Sequence, residues 1–230
     1  MTTTNETKNM VYLVGDLEGE FIYHHTINNI KIFSNYISVK RDSGVKDIIP
    51  FLISETEIKK LTNFPVGITF SIEGTMVTYK HISKATGRIH TCIYIKAKKI
   101  NLMPKNTKHV NEVKLSGIVA NEVNYRKTPG IKNEDGTTVK PSSRITDVIL
   151  KVMHPFKENT VYYIPLIMWN KMATQASYFN VNDKIYVKGR IQSRPYIKEI
   201  FTEENGAEDR KIIKKVAYEI SVNYLNKIDN

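Results

Sequence analysis

One pattern runs through this chain twice. Val11, Leu13, Gly15 and Tyr23 return as Val113, Leu115, Gly117 and Tyr125 at a constant spacing of 102 residues. Ile49-Pro50-Phe51 and Ile72-Glu73-Gly74 return as Ile164-Pro165-Leu166 and Val187-Lys188-Gly189 at a spacing of 115. The chain therefore reads as two copies of one small β-rich module, and its function as one that such modules perform in tandem. Its 230 residues give each copy enough length to bury a core of its own.

Hydrophobic residues at 41% and charged residues at 25% are ordinary for a soluble globular protein, but a net charge of +11 is not. Residues 1–108 carry 15 Lys and Arg against 9 Asp and Glu, and residues 109–230 carry 19 against 14. Both copies share the excess, so it is not a basic tail on a neutral body. A polyanionic partner explains it, and solubility alone is the plainer alternative.

The single cysteine, Cys92, leaves no internal disulfide and suits a reducing compartment. No apolar run approaches the length of a membrane span, and the opening Met1-Thr2-Thr3-Thr4-Asn5 lacks the character of a signal peptide, so a cytoplasmic protein is expected. Enzyme chemistry finds little support. The six histidines include no pair at metal-ligand spacing beside a carboxylate, Asp147 and Asp183 are isolated, and no P-loop or dinucleotide glycine pattern occurs. No metal and no cofactor are expected.

Met10 to Gly15 reads as a strand, residues 30–41 as a second with Phe33, Ile37 and Val39 at strand spacing, and Asp47 to Ile53 as a third after the turn Asp42-Ser43-Gly44. Ser54 followed by Glu57, with Ile58, Leu61 and Phe64 beyond, predicts a short helix opened by a capping box. Ile68 to Tyr79 and Arg88 to Met103 complete the first copy. After the aperiodic stretch 104–110, Val113 to Tyr125, Arg144 to His154, Thr160 to Trp169, a helix from Lys171 to Phe179, Lys184 to Tyr196 and Lys211 to Leu225 repeat the order.

Five strands with a helix between the third and fourth is the order of an OB-fold, a five-stranded Greek-key barrel. An SH3-like barrel or split sandwich also fits the strands, and the interposed helix favours the OB reading. The expected architecture is all-β: a first OB-fold over 9–103, a linker over 104–110 and a second OB-fold over 111–225. Gly74 and Gly189 interrupt β-branched runs and mark either a bend or a bulge.

The run Tyr163-Ile164-Pro165-Leu166-Ile167-Met168-Trp169-Asn170-Lys171-Met172-Ala173, followed by Asn182 to Tyr196 ("NDKIYVKGRIQSRPY"), resembles the bacterial single-stranded DNA-binding protein family. That family has a "WGKLAE"-like helix start and then "GD.V.V.GRLQTR.Y". Asn111 to Gly117 resembles the family's opening strand, and Tyr125-Arg126-Lys127-Thr128-Pro129 its "ELRYTP" segment. The likeness spans nearly all of 111–225; the first copy shares it only through the repeat. Two-module members of this kind occur in clostridia and related bacteria. The resemblance implies binding of single-stranded DNA with little sequence preference, in replication, recombination or repair. It also implies a homodimer that brings four OB modules together.

Binding of this kind needs flat rings for bases and cations for phosphates. Tyr163, Trp169 and Tyr196 fall where the resemblance places stacking aromatics, with Phe156 as a further candidate. Trp169 could instead pack in the core. Arg190, Gln192 and Arg194 alternate along one strand and share a face, and Lys188 extends the line. Arg126 and Lys127 flank the segment 130–143, which is rich in Gly, Pro, Ser and Thr and reads as a loop that closes over DNA or is a tolerated insertion.

In the first copy Ile48, Ser54 and Thr75 stand where the second has Tyr163, Trp169 and Arg190, with Tyr79 opposite Arg194 and His81 opposite Tyr196. Its aromatic capacity moves to Tyr79, Tyr36 and His81, with Lys40 and Arg41 as cations. The second module is expected to hold the strand more tightly. The family's housekeeping members end in an acidic tail that recruits repair and replication enzymes; Asn223 to Asn230 carries no such pattern. Two rival functions stay open: a tandem OB accessory acting through protein contacts, and a single-stranded RNA binder.

Overall fold

The computed structural model describes residues 8–228 apart from 61–64, 83–88, 136, 155–158 and 205–206, and omits the side chains of 81–82, 89–90, 132, 140 and 198–211. The first repeat contains β1 (Asn9–Leu17), β2 (Ile22–Ile27), β3 (Ile30–Lys40), β4 (Lys46–Ser54), α1 (Glu55–Lys59), β5 (Thr69–Ile82) and β6 (Ile89–Leu102). The second contains β7 (Val110–Val119), β8 (Asn124–Thr128), β9 (Ile131–Lys132), β10 (Thr138–Lys140), β11 (Ser143–Met153), β12 (Val161–Trp169), α2 (Lys171–Ala176), β13 (Lys184–Glu204) and β14 (Ala207–Lys227).

In the first repeat β1 pairs with β5, β5 with β6, β6 in parallel with β4, β4 with β3, and β3 with the end of β1. The second repeat runs the same circuit through β7, β13, β14, β12 and β11. Each circuit is tied weakly at two joints. β1 meets β3 only at Asp16↔Ser38 and Leu17↔Ile37, and β4 meets β6 only at Phe51↔Ile95 and Leu52↔Lys96. The result is an all-β, strand-rich fold with a repeated five-strand unit. Alternate residues of the strands fill it: Leu13, Ile37, Phe51 and Phe70 in the first repeat and Leu115, Leu150, Leu166 and Val187 in the second are fully buried.

The repeats join through a β1–β7 ladder in which Val11 pairs with Val113, its own counterpart in the repeat. An approximate twofold axis therefore passes through that pair. Asn9 extends the symmetry: its side chain donates to Met76 O and accepts from Met76 N, both at 2.8 Å, while Asn111 donates to Ile191 O at 2.8 Å and accepts from Ile191 N at 2.9 Å. Gly74 and Gly189 lie at ladder shifts, which decides for the bulge. A Cβ at either would stand 2.4 Å from a carbonyl of the neighbouring strand, Lys96 or Ser221, so only glycine fits.

Four sequence expectations change. β2 is an added strand, a hairpin arm paired to β3, and β8 likewise breaks away from β7 to pair with β11. Helix α1 keeps its Ser54 cap, whose Oγ accepts from Glu57 N at 3.3 Å, but the Glu57 carboxylate pairs with Lys60. Leu61 and Phe64 lie outside the described residues. The segment 130–143 holds a ribbon of β9 and β10, with Asn133 N donating to Thr137 O at 2.9 Å. The β13–β14 hairpin runs on to Glu204↔Ala207, well past the expected end at Tyr196.

The stretch 104–109 is held in place. The His109 ring accepts the Lys40 backbone N–H on Nδ1 at 2.9 Å, so its other nitrogen carries the proton and faces Asp16 at 3.4 Å.

Candidate nucleic-acid interface

Odd-numbered residues of β12 point away from the core, because Ile164, Leu166 and Met168 point into it. Tyr163, Pro165, Ile167 and Trp169 thus share the outer face. Tyr163 is 47% exposed and Trp169 40% exposed, so Trp169 is not a core residue. Register places Tyr163 beside Lys151 of β11, and Trp169 in one row with Ile145 of β11 and Arg126 of β8. Each ring has a cation on the same face, and the two rings lie six residues apart, roughly 20 Å at ~3.4 Å per residue. Arg126 also pairs with Asp147, and Lys127 is exposed.

Trp169 is followed by Asn170, whose backbone takes a positive φ of 50° and turns the chain from β12 into α2. Asn170 N donates to Arg144 O at 2.9 Å, and the buried Thr146 hydroxyl donates to Ala173 O at 2.7 Å. These bonds clamp α2 against β11 and hold the strand end beneath the indole.

The alternating residues of β13 do not form one patch. Lys188 lies over the rings of Tyr186 and Tyr224, at 6.0 and 5.2 Å from their centroids. Arg190 lines a cleft at the seam between the repeats with Lys40, Arg41, Lys108 and His109. Gln192 donates to Glu219 at 2.7 Å, and Arg194 lies 3.7 Å from the same carboxylate.

Arg41 is committed to a buried ion pair. Its Nε and Nη2 donate to Asp47 at 2.7 and 2.6 Å, and Asp47 is fully buried. Bonding to Asp47 raises the Arg41 pKa. The carboxylate also accepts Ser193 N of the second repeat at 2.8 Å, while Ile48 N donates to Ser193 Oγ at 3.1 Å. Asp47 thus bolts the β13–β14 hairpin onto the first repeat.

Tyr196, 38% exposed, lines an open groove of about 520 Å³ together with Tyr163 and Tyr218 of the second repeat and Tyr36 and Tyr94 of the first. Burial, then the neighbouring Tyr36, Tyr94 and Cys92, pushes the Tyr218 pKa up to about 12. Tyr79 packs behind the groove, 6.0 Å from Tyr94 and 5.8 Å from each of His24 and His25. Burial pushes its hydroxyl pKa up, and burial followed by the His25 charge pulls that of His24 down. Phe156 and the His81 side chain lie outside the described residues.

The sequence reading missed Lys151, Tyr94, Tyr218 and the His24–His25 pair. Tyr94 and Tyr218 are on β6 and β14, where the repeat spacing has drifted beyond 115: the ladder matches Phe51↔Ile95 to Leu166↔Ile220. Lys151 was legible as the cross-strand neighbour of Tyr163 once the β11–β12 turn was fixed.

Among the described residues no group of three or more His, Cys, Asp and Glu could hold a metal ion, and no helix is long and apolar enough to cross a membrane.

No family model and no curated relative matches the chain. Among solved structures, a deletion variant of the single-stranded DNA binding protein from Thermus aquaticus is similar over 99% of this chain and 97% of its own, with 14% identity and a TM-score of 0.66. The wild-type form of that protein is similar over 98% and 95%, with 14% identity and a TM-score of 0.65. The N-terminal domain of PriB protein from Thermoanaerobacter tencongensis aligns with 42% of this chain and 98% of its own at 27% identity, with a TM-score of 0.36. The first two likenesses span both repeats and show that the chain shares the fold of that Thermus aquaticus protein.

Proposed function

We propose that this chain binds single-stranded DNA without sequence preference and protects it, in replication, recombination or repair, as two OB-folds over 9–103 and 111–225. The observation that carries the reading is the outer face of β11 and β12, where Tyr163 stands exposed beside Lys151 and Trp169 stands exposed in one row with Arg126, Ile145 between them. An OB-fold receives oligonucleotides on the face of its second and third strands and on the loops beside them, and β11 and β12 hold those places here. Bases stack on the rings and phosphates meet Arg126 and Lys151, with Lys127 on the other side of the same edge strand as Arg126; stacking at about 1–3 kcal/mol per base asks for no base identity. Nothing in this scheme calls for catalysis or a cofactor.

A second copy completes the assembly. β14, β13, β7 and β1 align Tyr224, Lys188, Lys114 and Met10 in one row, with Tyr12 nearby, and Met10 and Tyr224 are well exposed. Two such faces in contact give a homodimer of four OB units, in a cytoplasmic setting.

Fluorescence anisotropy of a labelled oligothymidylate at several salt concentrations tests the reading. Tight binding with a steep salt slope is expected, because each neutralised phosphate releases a counterion. Binding that ignores salt, or fails against every unpaired strand tried, contradicts it. An oligouridylate in the same titration decides between DNA and RNA, and sedimentation equilibrium reads the dimer.

A further inference from the structure

The tyrosine groove on the approximate twofold axis belongs to neither repeat alone. Tyr36 and Pro50 reach it from the first repeat, and their counterparts Ile149 and Pro165 from the second. The outer faces of the two repeats therefore open into one space, and Tyr196 on the bolted β13–β14 hairpin forms part of its wall. We propose that this groove is a single base-binding site shared by both repeats, so that one unpaired strand crosses from Trp169 and Tyr163 onto Tyr36 and Tyr94 of the first repeat. This deepens the function proposed above and rests on it.

Four observations favour nucleobases as the occupant. Tyr36, Tyr94, Tyr163, Tyr196 and Tyr218 line the groove among prolines and aliphatic residues, and their flat rings stack on any base. Cations border it: Lys151 pairs with Tyr163 across β11 and β12, and Lys215 pairs with Tyr196 across β13 and β14. The acids beside the passage are neutralised: Asp147, on the outer face of β11 between the rows of Tyr163 and Trp169, pairs with Arg126, and Asp47 is buried and bonded to Arg41 and Ser193. The volume, about 520 Å³, lies within the ~300–1,000 Å³ of small-ligand sites.

The consequence is that the first repeat takes part in binding through Tyr36, although Ile48 and Ser54 deprive its own face of the aromatics found on the second. Tyr36 is 46% exposed and its removal spares the core.

The test uses the full chain and a photoreactive oligothymidylate. Tyr36→Ala is expected to weaken binding about five- to a hundredfold, Tyr36→Phe to leave it near normal, and cross-links to map to both Tyr36 and Tyr163. Unchanged affinity in Tyr36→Ala, with cross-links confined to the second repeat, overturns the shared groove and leaves the DNA-binding reading standing. Failure of the unaltered chain to bind any unpaired strand overturns both. Displacement of the oligonucleotide from Tyr163 but not from Tyr36 by a proline- and tyrosine-bearing peptide also counts against the groove as a single site.

Discussion

The two repeats put the same position to different uses. Ser54 ends β4 and caps α1, its hydroxyl accepting the Glu57 N–H at 3.3 Å. Trp169 ends β12 at the equivalent place and caps nothing, because α2 begins after Asn170, whose side chain makes no capping bond to the helix. Tyr163 likewise lies on an open face, whereas Ile48 beside it in the repeat sits under the β13–β14 hairpin, its N–H bonded to Ser193. The first repeat uses these positions for a helix cap and for its contact with the β13–β14 hairpin, and the second keeps them for the surface. Duplication allows that division, since a strand reaching both units does not need the same residues twice.

The largest effect is expected at Asp47, where the second repeat is tied to the first. Asp47→Ala leaves Arg41 and Ser193 without their acceptor and is expected to cost about 3–5 kcal/mol, toward the lower value because Arg41 is partly exposed. Thermal unfolding should show a fall of roughly 6–20 °C. No change in midpoint would mean the bolt between the repeats carries no weight.

Next in size, Trp169→Ser should lower affinity for an oligothymidylate by about 1–3 kcal/mol while leaving the melting temperature nearly unchanged. Ser54→Ala should do the reverse, costing about 1 kcal/mol of stability through the lost cap with little effect on binding. If both variants lose affinity equally, the two positions are not specialised as described.

The smallest effect concerns His24 and His25, whose Nδ1 atoms lie 2.6 Å apart, so one must donate and the other accept. The folded state lowers the His24 pKa below 6.5, by burial first and then the His25 charge, so the unfolded chain binds more protons as pH falls. The stabilising contribution is complete above about pH 6.5 and is lost as the pH drops toward the depressed value. Tyr79 and Tyr94 are the titratable neighbours, and neither changes charge in that window. His24→Gln should flatten the stability curve below pH 6.5; an unaltered slope would place the titration elsewhere.

Much of the architecture was legible because the repeat and the strand period are local signals: Val11 and Leu13 alternate, and so do their counterparts Val113 and Leu115. Tyr163 and Trp169 are legible through the resemblance of their segment to the single-stranded DNA-binding family, and the structure sets both on the outer face of β12. What sequence concealed was contact between distant residues. Gln192 and Arg194 look like ligands along a strand, and only the β14 register brings Glu219 to them. Arg41 looks like a surface cation, and only the fold seals Asp47 beneath it. The long hairpin has one local sign in the sequence, the pair Asn205-Gly206, a combination that favours a two-residue turn.

If exposed rings flanked by cations receive unpaired bases, the single tryptophan reports it directly. Titrating the full chain with poly-dT while following Trp169 emission should give strong quenching whose midpoint moves to weaker binding as salt rises. A tryptophan whose emission stays unchanged while the polymer is demonstrably bound would contradict the account, because the ring at the end of β12 would then lie outside the path of the strand.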